Sequence, residues 1–334
     1  MAVLVTGGSG FVGLNVAAAL LGEGEAVVLF DRAPPPGAAL AAFAPLPGRL
    51  AVETGDVRDG AALRAVLRRH GVRRVVHGAA ITAAQPREAT QAREIAEVNL
   101  IGTIEMLEAA LAEGVGRVVQ FGTGAVFGEP VQVALLDEAR DAPVPESLYG
   151  ITKYAAERVA LRYRRTRGLD VAVARLGVVF GRWEYDTGVR DTLSLPLQLA
   201  LLAEAGRHAR VPASVSADWV YATDVAGAVA RLLAAPSLPG AVYQVATGRP
   251  WSVESWCARL AARHPGFAYT LVGPEAAADV GGGAPRPRPP FAVERLRREV
   301  GFAAAYGEAE AFADYAAWRE AWARGQAGSA PPGP

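Results

Sequence analysis

Short apolar runs alternate with longer stretches of helical periodicity through the first half of the chain. The apolar runs have the character of buried strands, and they are Val3–Val5, Ala26–Phe30, Val75–His77, Val118–Phe121 and Val171–Ala174. Between these runs the pattern predicts helices near residues 11–22, 59–70, 92–113 and 147–167. Strands that alternate with helices in this way build a parallel sheet covered by helices on both faces. We therefore predict a doubly wound α/β fold.

The regular pattern loosens after Arg175. A polar and aromatic loop precedes an apolar helix in residues 182–212, and residues 217–246 return to strands around a helix. We therefore expect a smaller C-terminal substrate-binding domain beside the sheet domain. Both predicted domains are discontinuous: residues 1–175 with about 213–248 form the nucleotide-binding domain, and about 176–212 with 249–324 form the substrate domain.

Two segments of biased composition are expected to lie outside the packed core. Gly281–Pro290 is rich in Gly, Pro and Arg, which predicts a flexible loop, with a mobile lid as the alternative. Residues 325–334 are rich in Gly, Ala and Pro, and we predict that they form a disordered tail.

The composition limits the classes of partner. Hydrophobic residues make up 51% of the chain, and 34 basic residues balance 34 acidic ones, so the basic surplus that nucleic acid or an anionic membrane requires is missing. An apolar strand begins at Ala2 without a basic leader, and the apolar stretch 193–205 is too short to span a bilayer, which predicts a cytoplasmic protein. The single cysteine, Cys257, excludes an intrachain disulfide, and no His or Cys spacing predicts a metal site.

A glycine-rich segment follows the first strand and leads into a helical pattern. Its spacing, Gly7-x-x-Gly10-x-x-Gly13, permits a tight turn, a close approach to a pyrophosphate and close packing of helix on strand. Asp31 ends the second apolar run, where a carboxylate accepts hydrogen bonds from ribose hydroxyls and repels the 2′-phosphate of NADP. These features together predict a dinucleotide site that prefers NAD. The residues expected to form it are Gly7, Gly10, Phe11, Val12, Gly13, Asp31, Arg32, Asp56, Val57, Ala79, Ala80, Tyr149 and Lys153.

A second constellation carries acid–base chemistry. Tyr149 and Lys153 are four residues apart in a helical pattern, so their side chains project from one face. A nearby ammonium group favours the phenolate and lowers the pKa of a tyrosine from its usual value near 10. Thr123 follows the strand Val118–Phe121, where its hydroxyl can donate to a substrate oxygen.

The chain resembles the extended short-chain dehydrogenases/reductases, the NAD-dependent epimerase/dehydratase family. The resemblance rests on residues 6–13, Asp31, His77–Ala80, Asn99, Thr123, Tyr149, Lys153, Arg175 and residues 218–225. It implies a Rossmann fold, a Thr123–Tyr149–Lys153 triad and a small C-terminal substrate domain. It also implies that Asn99 supports a water-linked proton path to Lys153, and that a homodimer forms through the helices near 92–113 and 147–167.

Departures from the family pattern narrow the reaction. Members that dehydrate nucleotide sugars follow the Thr with an acidic pair, but Gly124 and Ala125 stand there, so dehydration is not expected. Val178 and Ala217 replace an Asn and an Arg that are usual in UDP-sugar epimerases, which removes contacts to a diphosphate, although Arg286 or Arg288 remains available to supply one.

A small sugar, sugar acid, lactone or other hydroxy-carbonyl compound is therefore an open alternative to a nucleotide sugar. The loop Arg182–Asp191 carries side chains that grip hydroxyls and carboxylates, and it is expected to overhang the nicotinamide. The residues predicted to contact the substrate are Thr82, Thr123, Gly124, Val178, Trp183, Arg190 and Arg288.

Three functions remain open at this point. The first, slightly preferred, is a net NAD-dependent dehydrogenase or reductase with Tyr149 as acid/base. The second is a 4-epimerase of sugar nucleotides that retains its NAD. The third is a catalytically silent NAD-binding sensor or scaffold, because a fold never guarantees activity.

Overall fold

The computed structural model describes residues 2–128, 133–213, 215–273, 275–281 and 288–326. Strands and helices alternate through the first half, in the order β1 Ala2–Thr6, α1 Phe11–Gly22, β2 Ala26–Asp31, α2 Gly37–Phe43, β3 Arg49–Thr54, α3 Gly60–Arg69, β4 Val72–His77, α4 Gln85–Ala96, a π-helical turn Glu97–Ile101, α5 Gly102–Ala112, β5 Arg117–Thr123, a 3₁₀ turn Gly124–Phe127, α6 Leu148–Arg167 and β6 Val171–Leu176.

Shorter strands and further helices follow. They are β7 Val178–Phe180, α7 Leu195–Glu204, β8 His208–Pro212, β9 Ser216–Ala217, β10 Trp219–Tyr221, α8 Ala222–Ala234, β11 Val242–Val245, β12 Trp251–Ser252, α9 Val253–Arg263, β13 Ala268–Val272, α10 Glu294–Val300 and α11 Glu308–Gln326. The predicted helix 92–113 begins earlier than expected, at Gln85. Its first turn is polar and so gave no apolar pattern to detect, but Pro86 is favourable at the start of a helix.

The central sheet has seven strands in the order β11-β6-β5-β4-β1-β2-β3, and every pair is parallel. Apolar side chains from alternate positions enter separate cores on the two faces: Leu4 and Val28 on one, Val3 and Val27 on the other. The chain leaves β1 toward β2 and β3, and later returns to place β4 on the opposite side of β1. This reversal opens a crevice at the carboxyl ends of β1 and β4, the usual ligand position in a Rossmann fold. The predicted doubly wound fold is therefore confirmed.

A separate C-terminal region packs around its own aromatic core. Phe180 lies within 6.1 Å, between ring centroids, of four other aromatic rings, and Trp256 stacks on Trp251 at 5.1 Å. The short strands there form three two-stranded pairs, β7 with β10, β9 with β12 and β8 with β13. Neither β8 nor β13 was predicted, because β8 alternates buried with exposed positions, β13 is only partly buried, and both lack a continuous apolar run. The exact division of the chain into domains stays a prediction.

Two sequence expectations fall largely outside the described residues: the flexible loop, of which 282–287 are not described, and the tail 325–334, of which 327–334 are not described. Within the described part of the chain, no helix combines the length and apolar character needed to cross a membrane. The same residues contain no cluster of three His, Cys, Asp or Glu side chains suited to a metal ion.

Candidate active site

One elongated pocket lies across the carboxyl ends of the central strands. Its wall includes the glycine-rich loop at one end and Thr123, Tyr149 and Lys153 at the other. All predicted cofactor residues lie on this wall, namely Gly7, Gly10, Phe11, Val12, Gly13, Asp31, Arg32, Asp56, Val57, Ala79, Ala80, Tyr149 and Lys153. The fold thus brings together residues that are up to 183 positions apart in the chain, from Gly7 to Arg190.

The glycine-rich loop leaves no room for side chains. Gly7 has φ +67°, and a Cβ there would lie 2.8 Å from the backbone nitrogen of Ala79. A Cβ on Gly13 would lie 2.2 Å from the carbonyl oxygen of Gly7. No side chain caps the N-terminus of α1, so its first amides face the pocket and suit a pyrophosphate.

Asp31 is held at the end of β2 by backbone donors. Its carboxylate accepts hydrogen bonds from the amides of Ser9 at 3.0 Å and Arg32 at 2.7 Å. Burial raises the pKa of Asp31, and these amide donors oppose that rise. Asp56, another predicted cofactor residue, is engaged within the protein: both of its carboxylate oxygens accept hydrogen bonds from the Arg58 guanidinium, which lowers the pKa of Asp56.

The predicted catalytic side chains meet in a buried part of the pocket. Burial raises the pKa of Tyr149, while hydrogen bonds with Thr123 and Thr82 and the charge of Arg190 lower it. Burial also lowers the pKa of Lys153 to about 8, against the opposing charge of Glu157. The sequence predicted that Lys153 lowers the pKa of Tyr149. In the structure the pKa of Tyr149 is raised instead, because burial outweighs the opposing effects of Thr123, Thr82 and Arg190.

Lys153 itself faces the pocket without a hydrogen-bonded partner among the described residues. The residue is 2% exposed, so its ammonium needs an acceptor from a ligand to be satisfied. The ribose hydroxyls of a dinucleotide supply such acceptors. NAD fits this site: the glycine-rich loop suits its pyrophosphate, the carboxylate of Asp31 suits one ribose, and the ammonium of Lys153 suits the other.

Asn99 lies in the π-helical turn and is buried away from the pocket wall. Its side-chain oxygen accepts from the Ile81 amide at 2.8 Å, and its amide nitrogen donates to the Ile81 carbonyl and to the Thr152 hydroxyl, each at 3.1 Å. Its backbone carbonyl accepts from the Thr103 hydroxyl at 2.8 Å. Asn99 thus joins the segment after β4 to α6, and its water-linked path to Lys153 stays a prediction.

His77 is buried at the end of β4, and the sequence analysis identified it only as part of the family motif. Because the Thr103 hydroxyl donates to Asn99, it accepts from Nε2 of His77 at 3.1 Å, so Nδ1 of His77 accepts from the Thr6 hydroxyl at 2.8 Å. Burial and the nearby Lys153 charge lower the pKa of His77 to about 3. The Thr6 oxygen in turn receives the amides of Gly78 at 3.2 Å and Ala79 at 3.4 Å, which fixes this part of the pocket wall.

Residues 182–191, the crossing loop, pass over the pocket. The Tyr185 hydroxyl donates to the Ser9 carbonyl at 2.7 Å on one side, and Arg87 binds Asp191 at 2.7 Å and the Gly188 carbonyl at 2.8 Å on the other. Tyr185, which sequence reasoning did not single out, lines the pocket together with Thr187, Val189 and Arg190. Of the predicted substrate residues, Thr82, Thr123, Val178 and Arg190 lie on the wall.

Three predicted substrate residues lie away from the wall. Trp183 is buried in an aromatic cluster, with ring centroids 5.7 Å from Phe43, 5.4 Å from Trp318 and 5.5 Å from Trp322. Gly124 packs against Phe291, since a Cβ there would lie 2.4 Å from that ring. Arg288 donates to the Gly128 carbonyl. Arg286 lies outside the described residues, so its predicted role is not addressed by the structure.

Comparison with known proteins gives consistent matches. A model of the NAD dependent epimerase/dehydratase family matches residues 3–246. The chain is 33% identical over 186 residues to the UDP-glucose 4-epimerase of Halalkalibacterium halodurans, covering 51% of this chain and 52% of that protein. It is 30% identical over 264 residues to the dTDP-glucose 4,6-dehydratase of Streptomyces niveus, covering 74% and 73%.

A solved structure is similar over nearly the whole chain. The UDP-glucose 4-epimerase of Thermus thermophilus, in complex with NAD, is 26% identical, covers 96% of this chain and 100% of that chain, and superposes with a TM-score of 0.76. In sequence, the chain spans about half the length of the first relative and about three quarters of the second.

The family match begins within β1 and continues through β11, so it contains the glycine-rich loop, Asp31, Thr123, Tyr149 and Lys153. It thus covers well over half of the chain, and the elements that form the pocket are those of the match. The chain belongs to the NAD-dependent epimerase/dehydratase family.

Proposed function

We propose that the protein transfers a hydride between NAD and a hydroxyl-bearing carbon of a sugar or sugar acid, with Tyr149 as the acid/base. The observation that carries this proposal is the meeting of Thr123, Tyr149 and Lys153 at one end of a pocket whose other end fits a dinucleotide. When bound, NAD supplies the hydride acceptor. A silent sensor has no chemical need for these three side chains together.

Each side chain has a distinct part in the proposed reaction. Tyr149 takes the proton of the substrate hydroxyl as its carbon is oxidised, and returns it in the reverse direction. The Thr123 hydroxyl, which lies beside Tyr149, donates to the substrate oxygen. Lys153, one helical turn after Tyr149 on α6, binds the ribose hydroxyls, and its positive charge favours the phenolate.

Two outcomes of the same hydride transfer remain to be separated. The missing acid or base at Gly124 and Ala125 disfavours elimination, which leaves net oxidation or reduction and epimerisation as the two outcomes. The relatives named above favour the second candidate, a sugar-nucleotide 4-epimerase that returns the hydride to its substrate. Incubation with a panel of sugars, sugar acids and UDP-sugars separates them: net absorbance of NADH at 340 nm indicates a dehydrogenase, whereas interconversion of isomers without NADH release indicates an epimerase.

The acid/base assignment is tested with Tyr149→Phe. This change keeps the ring and removes the proton carrier, so turnover should fall by about 10²- to 10⁴-fold while the affinity for NAD is retained. The matched control is Tyr269→Phe on β13, which lies outside the pocket wall and should leave turnover unchanged. Turnover of Tyr149→Phe near that of the unmodified protein would show that another group is the base.

We further propose that the protein is a homodimer formed through α4, α5 and α6. Ile101, in the turn between α4 and α5, and Ile151 on α6 are 43% and 45% exposed, which is high for large apolar side chains. Sedimentation measurements on the unmodified chain and on Ile101→Ser/Ile151→Ser test this assignment: the variant should lose the dimer.

A further inference from the structure

The substrate end of the pocket carries a guanidinium whose position is fixed. Arg190 pairs with Glu184 at 2.8 Å, and its guanidinium carbon lies 5.2 Å from the ring centroid of Phe11. Its backbone forms a parallel β-bridge with Thr82, the residue whose side chain hydrogen-bonds with Tyr149. The backbone of Arg190 therefore lies one strand spacing from that of Thr82, which places Arg190 near Tyr149.

The carboxylate that holds Arg190 is itself fully engaged. The side chain of Glu184 is 0% exposed, and its two oxygens accept from the amide and the hydroxyl of Ser194, each at 2.6 Å. Glu184 is thus unavailable as a general base. A buried carboxylate with all of its contacts inside the protein acts as an anchor for the arginine, and such an anchor reduces the entropy lost when a ligand binds.

Arg190 lines the pocket, and most of its guanidinium donors have no acceptor among the described residues. A guanidinium has five N–H groups, and among the described residues only Glu184 receives one of them. The neighbouring wall is otherwise apolar or hydroxylic, with Val178, Val189 and Thr187. A fork of donors in such surroundings binds a planar anion such as a carboxylate with two parallel hydrogen bonds.

We propose that Arg190 binds a carboxylate of the substrate, so that the protein acts on a sugar acid or related hydroxy acid rather than on a neutral sugar. This inference rests on the proposed function, because it places the carboxylate next to the hydroxyl that Tyr149 deprotonates. The diphosphate of a nucleotide sugar offers similar oxygens, but a sugar ring separates it from a reacting C4 hydroxyl, whereas Arg190 and Tyr149 are close enough for the charge of one to lower the pKa of the other.

The test measures binding rather than turnover. The protein saturated with NADH is titrated by calorimetry with D-glucuronate and D-galacturonate, with their neutral partners D-glucose and D-galactose, and with UDP-glucose. We expect the acids to bind about 10- to 100-fold more tightly than the neutral sugars, as charged hydrogen bonds require. Arg190→Met should abolish this preference, and Arg68→Met, whose side chain is 72% exposed far from the pocket, should retain it.

A second variant guards against loss of folding in Arg190→Met, which leaves Glu184 buried and unpaired. Glu184→Gln/Arg190→Met removes both charges together and should show the same loss of preference. Three outcomes overturn the proposal: the acids and the neutral sugars bind equally tightly, none of the probes binds, or the preference for acids survives in the double variant. So does tighter binding of UDP-glucose that depends on Arg190, which assigns the arginine to a diphosphate.

The affinity for NAD shows whether Arg190 binds the diphosphate of the cofactor instead of a substrate carboxylate. If Arg190→Met weakens NAD binding by more than about tenfold and leaves the acid preference intact, the arginine serves the cofactor diphosphate and the proposal fails. The proposed hydride transfer fails independently: acids that bind through Arg190 but are never oxidised or epimerised contradict the proposed function alone, whereas turnover of neutral sugars that depends on Tyr149 contradicts this inference alone.

Discussion

At the scale of single residues, Tyr149 shows how burial opposes the chemistry that the sequence assigns to it. A phenol removed from water keeps its proton, and the hydroxyls of Thr123 and Thr82 offset only part of this effect. Lys153 is subject to the same cost, and burial lowers its pKa to about 8. Burial thus acts against the charged form of both groups, although a pKa of about 8 leaves Lys153 mostly protonated at pH 7.

Asp31 carries the prediction on cofactor choice. Asp31→Ala removes the carboxylate that repels a 2′-phosphate and leaves Arg32, half exposed beside it, to attract one. The ratio of NAD affinity to NADP affinity should fall by about 10- to 100-fold, measured by fluorescence titration with NADH and NADPH. Glu23→Ala, an exposed acid beyond the end of α1, is the control and should leave the ratio unchanged. Equal affinity of the unmodified protein for both nucleotides would contradict the role of Asp31.

At the scale of elements, α6 combines catalysis and stability on one face. Tyr149, Lys153 and Glu157 follow at intervals of four residues, so they share this face. Glu157 is 1% exposed and forms two hydrogen bonds with Arg175 of β6, at 2.8 and 2.6 Å. The remaining Arg175 nitrogen, Nη1, has no partner among the described residues, while the guanidinium lies 5.3 Å from the Phe127 ring centroid.

This buried pair gives a prediction on stability. Glu157→Gln leaves the Arg175 charge uncompensated inside the protein, and the free energy of unfolding should fall by about 3–5 kcal/mol in urea denaturation. Glu157→Gln/Arg175→Met removes both charges and should recover at least half of that loss. The control is Glu294→Gln, which breaks an exposed pair with Arg297 and should cause no measurable change. A Glu157→Gln protein as stable as the control would show that the pair contributes nothing.

At the scale of the whole molecule, the crossing loop joins the two sides of the pocket. Trp183 anchors the start of the crossing loop to Trp318 and Trp322 of α11, Tyr185 binds the glycine-rich loop, and Arg87 binds the far end of the crossing loop. Three regions distant in sequence therefore hold the loop over the pocket. We therefore expect that a dinucleotide bound beneath this loop dissociates only after the loop moves away from the pocket.

The release of the cofactor tests this arrangement. Tyr185→Phe removes the hydrogen bond to the Ser9 carbonyl and keeps the ring, so NADH should dissociate about fivefold faster, which corresponds to one ordinary hydrogen bond. Stopped-flow displacement of bound NADH measures this rate, with Tyr269→Phe as the control. An unchanged dissociation rate would mean that the loop opens elsewhere.

The sequence by itself determined those features that depend on local pattern. Apolar runs at strand spacing predicted five strands of the central sheet, the spacing of Gly7, Gly10 and Gly13 predicted the cradle, and the four-residue interval between Tyr149 and Lys153 placed both on one helix face. These features are set by steric limits and by periodicity within a few consecutive residues, so no knowledge of distant contacts is needed to find them.

Only the tertiary structure decided which side chains of the crossing loop face the pocket. Trp183 and Arg190 looked equally suited to a substrate, yet Trp183 is buried among aromatic rings from α2 and α11 whereas Arg190 faces Phe11 and Tyr149. Glu184 of the same loop likewise lies off the pocket wall, where its oxygens bind Ser194 and Arg190. A loop without periodicity has no preferred face of its own, so the orientation of its side chains depends on the contacts supplied by distant parts of the chain.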